Sequence, residues 1–480
     1  MSIDIDYFAI LPQIILVLAG MAILLLEPFM PPARKSRQGQ IAVVASFLAA
    51  YTLSFQKLGA PRAIFNGMFL IDNFSWVFQW LFFVITGISA LLALRFNERE
   101  SINKGEYYAL LLFACSGMSL MAASGDLILT FLGIEILSIA TYVLAGFKRS
   151  DARSNESSLK YFLLGSFATA FLLYGIALIY GSTGTTNYAA IRQIAGLQVV
   201  PQVTMVIGLG LLLVGFGFKI ATVPFHAWVP DVYEGAPTAV TAFMIVGPKA
   251  AGFAALIRLL VQALPSLQAD WTAILWVSSI LTMTVGNIVA TLQTNIKRML
   301  AYSAIAHAGY ILVGIVANSS SGHRAVIFYL VVYTAMNLGA LGIVLSLSRQ
   351  GDRHVNLEDY AGLGKTQPLA AAALSLFLVS LAGIPLTGGF MGKFYLFSAA
   401  IRQGYVGLAI VGVLNSLISV FYYFRLMVFM YMKEPQESGM ERIPLTALAA
   451  IAIAAIGVVW AGISPTWILN LATRSILPLQ

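Results

Sequence analysis

Long hydrophobic runs separated by short polar segments alternate along almost the whole chain. A helix needs about 20 mostly apolar residues to cross a lipid bilayer. Runs of roughly that length occur near residues 8–26, 39–55, 70–94, 106–124, 126–147, 156–180, 201–223, 239–263, 270–293, 299–317, 324–348, 367–401, 405–430 and 443–469. The polar pieces between them are too short to fold as domains. The pattern therefore predicts an all-α membrane protein with about 14 transmembrane helices.

Two of these hydrophobic runs are interrupted near the middle, and each interruption lies next to a lysine. Lys219 precedes the first break, and Lys393 follows the second. A broken helix frees backbone groups that lipid cannot pair, so such breaks are kept where they line a water-filled path. The residues expected to form the breaks and to gate water access are Pro224, Pro230, Pro385, Gly388 and Gly389.

The spacing of these features predicts an internal repeat. The two breaks lie 161 positions apart (385 minus 224), and the spans that start near 106 and 270 lie 164 apart (270 minus 106). Two units of five helices, each with the broken helix in fourth place, account for both spacings. Because five is odd, the second unit inserts with inverted topology, as in many transporters. The predicted divisions are an N-terminal three-helix segment at 1–105, a first repeat at 106–263, a second repeat at 264–430 and a C-terminal helix at 431–480.

Composition and charge agree with a membrane protein. Of the 480 residues, 59% are hydrophobic and 10% are charged, whereas a soluble domain carries about 25% charged residues. The net charge of +8 comes from basic residues in short loops, without the basic and aromatic clusters of nucleic-acid-binding proteins. Sixteen of these loop residues follow odd-numbered spans and six follow even-numbered spans. The positive-inside rule then places both termini on the outer side of the membrane.

Residues that bind metals or carry redox chemistry are sparse. The chain has one cysteine, Cys115, inside a hydrophobic run, and four dispersed histidines. A single thiol forms no internal disulfide and cannot hold an iron–sulfur cluster. The histidines have no metal-ligand spacing such as HExxH. We therefore expect no metal site, no cofactor-binding residues and no nucleotide-binding module on this chain.

Six ionisable residues inside the predicted spans are the candidates for proton transfer: Glu135, Lys160, Lys219, Lys249, His307 and Lys393. An ionisable residue inside a membrane is costly and marks an ion or proton path by default. A buried carboxylate and a buried ammonium each lose hydration unless they pair. We therefore expect Glu135 to be the partner of Lys219. A pair whose separation changes can switch the lysine between holding and releasing a proton.

Four of these residues also have a simpler interpretation. Glu135 and Lys219 could form a static ion pair that joins two helices. Lys160 lies about one turn inside its span and could snorkel to the surface, as we also expect for Arg425. His307 could be a hydrogen-bonded packing residue. The other three lysines lie at mid-depth, where snorkelling does not explain them.

Three longer motifs carry a resemblance to a known family. They are PFHAWVPDVYEGAPTAVTAF at Pro224–Phe243, TNIKRMLAYSAIAHAGYIL at Thr294–Leu312 and GIPLTGGFMGKFYLF at Gly383–Phe397. Together they resemble the antiporter-like membrane subunits of respiratory complex I, the bacterial NADH:quinone oxidoreductase. The wording DVYEGAP is closer to the N-type subunits than to the L- and M-type subunits or to Mrp antiporters. The likeness covers nearly the whole chain.

The resemblance implies a role for every candidate residue. The family's proton-transfer positions are matched by Glu135 on the fifth span, Lys160 on the sixth, Lys219 on the seventh, Lys249 on the eighth, His307 on the tenth and Lys393 on the twelfth. In the family the fifth-span glutamate partners the seventh-span lysine, and the sixth-span lysine modulates that pair. The residues on spans eight and ten connect it to the twelfth-span lysine, which is proposed to exchange protons with the outside.

The resemblance also implies an activity and an assembly. It implies a proton-translocating subunit of the inner membrane of a bacterium, driven by quinone reduction elsewhere in the complex. Flavin and iron–sulfur clusters are then expected on partner subunits, with quinone as a substrate of the complex. The expected neighbours are an M-type subunit, small K-type and J-type subunits and the lipid bilayer. Two alternatives remain: a stand-alone Mrp-type cation/proton antiporter and a purely structural spacer in the membrane arm.

Overall fold

A computed structural model of the chain describes residues 6–31, 34–56, 61–197, 200–348, 351, 355–435 and 443–477. The α-helices of this part of the chain are α1 (Leu11–Leu26), α2 (Ser36–Leu53), α3 (Asn73–Arg99), α4 (Gly105–Ala123), α5 (Leu127–Ala145), α6 (Ala152–Thr183), α7 (Tyr188–Gly196), α8 (Gln202–Ile220), α9 (Trp228–Gly235), α10 (Thr238–Met244), α11 (Gly247–Arg258), α12 (Gln268–Thr291), α13 (Ile296–Val316), α14 (Ser320–Leu347), α15 (Leu363–Thr366), α16 (Pro368–Ala382), α17 (Gly388–Arg402), α18 (Val406–Met432), α19 (Leu445–Ile463) and α20 (Thr466–Arg474).

Other elements are short. A π-helical turn, Leu259–Ala263, continues α11, and 3-10 turns lie at Glu27–Phe29, Pro265–Leu267 and Leu357–Tyr360. One antiparallel hairpin, β1 (Arg62–Ile64) and β2 (Phe69–Ile71), joins α2 to α3. Four basic residues counted in the loop charges lie outside the described residues: Lys57, Arg349, Arg353 and Arg442.

The predicted fold class, an all-α membrane protein, is confirmed. In the described residues, twelve helical segments are long and apolar enough to cross a membrane. The other two predicted spans are α2, whose first turns contain several polar residues, and the interrupted pair α16 and α17. The helix α7 lies in a polar piece that the hydrophobic pattern left without an element.

Polar side chains set the starts of many of these helices. The first amides of a helix have no partner within it, and a preceding carboxylate, amide or hydroxyl oxygen can accept from them. The residues that cap helices in this way are Asp72 (α3), Asp126 (α5), Asp151 (α6), Asn187 (α7), Asn295 (α13) and Ser319 (α14). The sequence itself therefore favours a helix start at each of these positions.

The same local pairing recurs in the two halves of the chain. Asp126 before α5 forms an antiparallel bridge with Asn187, and Asn295 before α13 forms the same kind of bridge with Asn356. Both members of the second bridge lie 169 positions after those of the first (295 minus 126; 356 minus 187). Five membrane crossings separate the bridges, so they lie on opposite faces. This recurrence favours the predicted inverted repeat, whose boundaries stay a prediction.

An arginine on the last helix of each unit shows the same relation. Arg258 of α11 donates from Nε to the carbonyl oxygen of Ala122 at 2.8 Å, at the end of α4. Arg425 of α18 donates from Nη1 to the carbonyl oxygen of Thr291 at 2.8 Å, at the end of α12. The two carbonyls are again 169 positions apart (291 minus 122). Arg425 therefore links α18 to the end of α12, and the snorkelling interpretation stays a prediction.

Candidate functional site

Four of the six candidate residues are buried in the interior of the helix bundle. Lys219, Lys249, His307 and Lys393 are each between 1% and 5% exposed. Lys219 lies in the last turn of α8, Lys249 in the first turn of α11, His307 in the middle of α13 and Lys393 in the second turn of α17. Broken helices position two of them, because α8 and α17 each end or begin inside the bundle. The structure thus brings charged groups from both halves into one interior.

Lys219 and Glu135 are neighbours that do not touch. The Nζ atom of Lys219 donates to the Oγ atom of Ser138 at 2.7 Å. The carboxylate of Glu135 accepts instead from the hydroxyl of Thr169 on α6, at 2.9 Å. Ser138 lies three positions after Glu135, which places both on one face of α5. The predicted partners therefore form no ion pair in the structure, and each is bonded to a neutral hydroxyl.

Lys249, His307 and Lys393 are connected through two tyrosine rings. The Nζ atom of Lys249 lies 5.5 Å from the ring centroid of Tyr333, and that of Lys393 lies 4.7 Å from the ring centroid of Tyr310. The imidazole of His307 lies between the rings, with centroid distances of 5.5 Å to Tyr333 and 5.6 Å to Tyr310. Aromatic faces stabilise a cation while leaving it free to exchange a proton.

Backbone carbonyl oxygens take the place of counter-ions at the two further lysines. Lys393 donates to the carbonyl oxygens of Leu381 and Ala382 at 3.0 and 2.9 Å, and to the hydroxyl of Ser416 at 2.9 Å. Both carbonyls belong to the C-terminal end of α16, where the helix dipole favours a positive charge. Lys249 donates to the carbonyl oxygen of Ala304. Neither lysine has a carboxylate within ion-pair distance among the described residues.

His307 has a hydroxyl partner at each ring nitrogen. Its Nδ1 lies 2.5 Å from the hydroxyl of Tyr329, and its Nε2 lies 3.2 Å from the hydroxyl of Tyr423. The hydroxyl of Tyr423 also lies 2.5 Å from that of Ser303. A neutral imidazole donates at one nitrogen and accepts at the other, so hydroxyls on both sides allow a proton to enter and leave. His307 is thus suited to transfer as well as to packing.

Equivalent positions of the two repeats hold the partners of these groups. Position 304 lies 169 after Glu135, and position 307 lies 169 after Ser138. In α5 these two positions supply the carboxylate and the hydroxyl beside Lys219. In α13 they supply the carbonyl of Ala304, which accepts from Lys249, and the imidazole of His307. The fold therefore places a polar partner at the same turn of both helices.

Lys160 stands apart from this buried series, at the surface of the bundle. Its side chain is 43% exposed, and its Nζ atom lies 2.7 Å from Glu156 and 2.9 Å from Asp231. Asp231 also pairs with Arg298 at 2.8 Å. Burial raises the pKa of the Asp231 carboxyl. The hydrogen bonds and positive charges of Lys160 and Arg298 together outweigh this effect and bring the pKa below its usual value of 3.8. The carboxylate is therefore ionised at neutral pH, as part of a surface network.

The first break occupies residues 221–227. Ala221, with a φ of 65°, ends α8 in the left-handed conformation. Two hydroxyls of α12 pair the freed backbone of Val223: its N–H donates to Thr282 at 3.0 Å, and its carbonyl accepts from Ser278 at 3.3 Å. Pro230 lies in the first turn of α9, where its missing N–H is tolerated. The break therefore ends before this residue, not at it.

A cleft of about 560 Å³ lies beside this break and opens on the outside of the bundle. It is lined mostly by apolar side chains of α8 and α12, with Pro224 and Phe225 at the break itself. The interrupted backbone is thus close to the surface on one side and to the buried Lys219 on the other. Such a position suits a segment that changes shape.

The second break, at residues 383–387, depends on glycine. Gly383 has a φ of 84° and Leu386 a φ of 70°. The N–H of Gly389 donates to the hydroxyl of Ser380 at 3.1 Å. A Cβ atom at Gly389 would lie 1.8 Å from the carbonyl oxygen of Ser380. Only glycine lets the start of α17 approach the end of α16 this closely.

Several residues of the site were missed by sequence reasoning. The hydroxyls beside the charged groups and the rings over the lysines are Ser138, Thr169, Ser416, Tyr310, Tyr329, Tyr333 and Tyr423. Only Tyr310 carried a signal, since it lies in the motif with His307, three positions later. In the part of the chain that the structure describes, no group of three or more His, Cys, Asp or Glu could hold a metal ion.

Comparison with known proteins gives this arrangement a context. The family described as NADH:quinone oxidoreductase/Mrp antiporter, transmembrane, matches residues 124–419. A protein of Trichlorobacter lovleyi named NADH-quinone oxidoreductase subunit N is 47% identical over 473 residues, which cover 97% of this chain and 96% of that protein.

Solved structures show the same fold. A chain of respiratory complex I from Thermus thermophilus with bound aureothin has a TM-score of 0.82 and 35% identity, and the match covers 96% of this chain and 99% of that chain. A chain of the Mrp complex from Dietzia has a TM-score of 0.85 and 21% identity, with coverage of 98% and 97%. The second likeness concerns the fold alone.

Proposed function

The chain belongs to the NADH:quinone oxidoreductase/Mrp antiporter membrane family, with full-length relatives named subunit N, and we propose that it moves protons in the membrane arm of such a complex. Quinone reduction elsewhere in the complex drives this transfer. The observation that carries the proposal is the series of buried ionisable groups that runs through both halves of the bundle. A static structural spacer has no need of such groups, because each one lowers stability by desolvation.

The proposed route begins at Lys219 and ends at Lys393. A cytoplasmic proton reaches Lys219 through the first break, and its release is controlled by Glu135. It passes to Lys249 and then to His307, which lies between the two tyrosine rings. Lys393 then releases it beside the second break. Each donor is left neutral as the next acceptor becomes charged, so the number of buried charges stays constant.

The helix breaks at Pro224 and Pro385 supply the gates of this route. At each break the freed backbone is held by single hydroxyl groups, from Ser278, Thr282 or Ser380. Local rearrangement there can open or close a water connection without moving whole helices. Lys160 and its partner Asp231 lie on the face from which the proton enters, where they bias the charge around Lys219.

The proposal includes the setting of the chain. We place it in the inner membrane of a bacterium, with both termini on the periplasmic side. Its neighbours in the membrane arm are an M-type subunit and small K-type and J-type subunits. Flavin and iron–sulfur clusters belong to other subunits, and quinone is a substrate of the complex.

The test uses the assembled complex in closed vesicles. Lys219→Ala removes the entry group, so we expect proton pumping coupled to quinone reduction to fall at least tenfold, by about the size of a lost acid–base group. Lys365→Ala is the matched control, since in the described residues this exposed lysine forms an ion pair with the exposed Glu434. Full pumping by Lys219→Ala would contradict the proposal.

The Mrp-type antiporter is separated from this function by its assembly. A subunit of an NADH:quinone oxidoreductase co-purifies with partners that show flavin and iron–sulfur absorbance. A stand-alone antiporter exchanges cations for protons without NADH or quinone. The 47% identity to a named subunit N, against 21% to the Mrp chain, supports the first of these.

A further inference from the structure

Glu135 and Lys219 each form a hydrogen bond with a hydroxyl group and not with each other. Ser138 accepts from Lys219 at 2.7 Å, and Thr169 donates to Glu135 at 2.9 Å. No carboxylate oxygen lies within 4.0 Å of Lys219 among the described residues. Both groups are therefore held by neutral partners.

The geometry of α5 makes an exchange of these partners short. Glu135 and Ser138 lie on one face of the helix, with Cβ atoms about 5–6 Å apart. A change in the side-chain torsions of Glu135, away from Thr169 on α6, would carry its carboxylate along this face of α5 towards Ser138 and Lys219. The same exchange frees Ser138 and Thr169.

We propose that Ser138 and Thr169 are the positioning residues of a two-state switch at Lys219. In the separated state, which the structure shows, they hold the two charged groups apart. In the contact state Glu135 binds Lys219 directly and both hydroxyls are released. The inference rests on the proton-transfer role of Lys219 and assigns no proton to the hydroxyls themselves.

The hydrogen bonds of Ser138 explain why it holds Lys219 in place and does not pass on a proton. A serine has a single hydroxyl hydrogen, and Ser138 donates it to the carbonyl oxygen of Ile134. Towards Lys219 it can therefore only accept. Thr169 likewise uses its single hydrogen for the carboxylate of Glu135.

The second repeat supports a switch that is confined to the first. The position equivalent to Glu135 is Ala304, whose backbone carbonyl accepts from Lys249. A backbone carbonyl in a helix cannot swing between two partners. Of Lys219, Lys249 and Lys393, only Lys219 lies beside such a carboxylate and its two hydroxyls in the described residues.

The experiment compares hydroxyl-free and hydroxyl-bearing variants in the assembled complex. Ser138→Ala and Thr169→Val remove the holders and favour the contact state, so we expect proton pumping to slow about tenfold, the effect of one hydrogen bond to a charged group. Ser138→Thr and Thr169→Ser keep a hydroxyl and should restore most of the rate. Thr141→Ala and Ser166→Ala are the controls: both hydroxyls donate to carbonyls of their own helices, and that of Thr141 also lies 3.4 Å from the hydroxyl of Tyr161.

A structure of the Thr169→Val complex gives a second, direct measurement. We expect a carboxylate oxygen of Glu135 within 4 Å of Nζ of Lys219. An unchanged separation, or equal slowing by the Thr141 and Ser166 controls, would overturn the switch. If Lys219→Ala stops pumping while the holder variants pump normally, only this inference fails. If Lys219→Ala pumps normally, the proposed function fails first.

Discussion

Arg258 and Asp72 form a two-pronged ion pair that fastens α3 to the last helix of the first repeat. The terminal nitrogens of Arg258 donate to the two carboxylate oxygens of Asp72 at 2.8 Å each. Arg258 is fully buried, and its guanidinium lies 4.8 Å from the ring centroid of Phe74. Removing one partner of such a pair leaves an uncompensated buried charge. The pair is therefore a structural joint of the fold.

We expect Asp72→Asn to lower the free energy of unfolding by about 3–5 kcal/mol, because Arg258 loses its counter-ion. The measurement is the thermal midpoint of the purified complex. Glu434→Gln is the control, since it breaks an exposed pair with Lys365, for which the expected loss is below about 1 kcal/mol. Equal thermal midpoints for the two variants would contradict the stabilising role of the pair between Asp72 and Arg258.

The same pair predicts a dependence on pH. Burial raises the pKa of the Asp72 carboxyl. The charge of Arg258 and the hydrogen bonds from Arg258 and Ser75 together outweigh this effect and bring the pKa below its usual value of 3.8. A group whose pKa is lower in the folded state stabilises the fold above its unfolded pKa. We expect the difference between wild type and Asp72→Asn to be constant from neutral pH to about pH 5 and to shrink below 3.8. A difference that disappears near pH 6 would show that another group is responsible.

The first helix break needs its partner hydroxyl on α12. Thr282→Val keeps the shape of the side chain but leaves the N–H of Val223 without its acceptor. We expect a loss of about 1–3 kcal/mol in the free energy of unfolding. Thr272→Val on the same helix is the control, because the hydroxyl of Thr272 has no partner among the described residues. Its removal should leave stability unchanged or slightly increased.

The tyrosine hydroxyls on either side of His307 offer a test of the route. Tyr329→Phe and Tyr423→Phe each remove one hydrogen-bond partner of the imidazole. We expect proton pumping to slow by about 10-fold or more, since proton transfer needs a positioned donor and acceptor. Tyr395→Phe is the control, because its hydroxyl makes no hydrogen bond with the described residues. A route that bypasses His307 would leave all three variants at the wild-type rate.

The second break offers a steric test. Gly389→Ala places a Cβ atom 1.8 Å from the carbonyl oxygen of Ser380, so α16 and α17 must separate. We expect a loss of about 1–3 kcal/mol or more in the free energy of unfolding, with less assembled complex in the membrane. Gly407→Ala is the matched control, since Gly407 is likewise the second residue of a helix and has no atom within 4 Å of an added Cβ. Normal assembly of both variants would contradict the close approach.

The hydrophobic pattern was enough to predict the membrane fold, both breaks and the buried lysines, because each depends on the composition of a single segment. The partners of those lysines depend on contacts between segments. Ser138 looks like any hydroxyl that bonds the backbone of its own helix, and Thr169 lies 34 positions from the carboxylate that it holds. Nothing in the chain marks them out beforehand.

The aromatic partners were hidden for a different reason. The chain contains 30 phenylalanines and 20 tyrosines, most of which pack between helices as the hydrophobic effect requires. Tyr310 and Tyr333 differ from them only in lying over a buried ammonium. The acceptor of Arg425 on α12 was hidden likewise, because it lies 134 positions away in the chain.

The bridges that recur 169 positions apart give the two faces of the helix bundle a similar backbone arrangement. One face carries the antiparallel bridge between Asp126 and Asn187, and the other carries the bridge between Asn295 and Asn356. A symmetric scaffold cannot by itself tell inward from outward transport. The direction of proton movement must then depend on the few side chains that differ between matched positions, such as Glu135 and its equivalent Ala304.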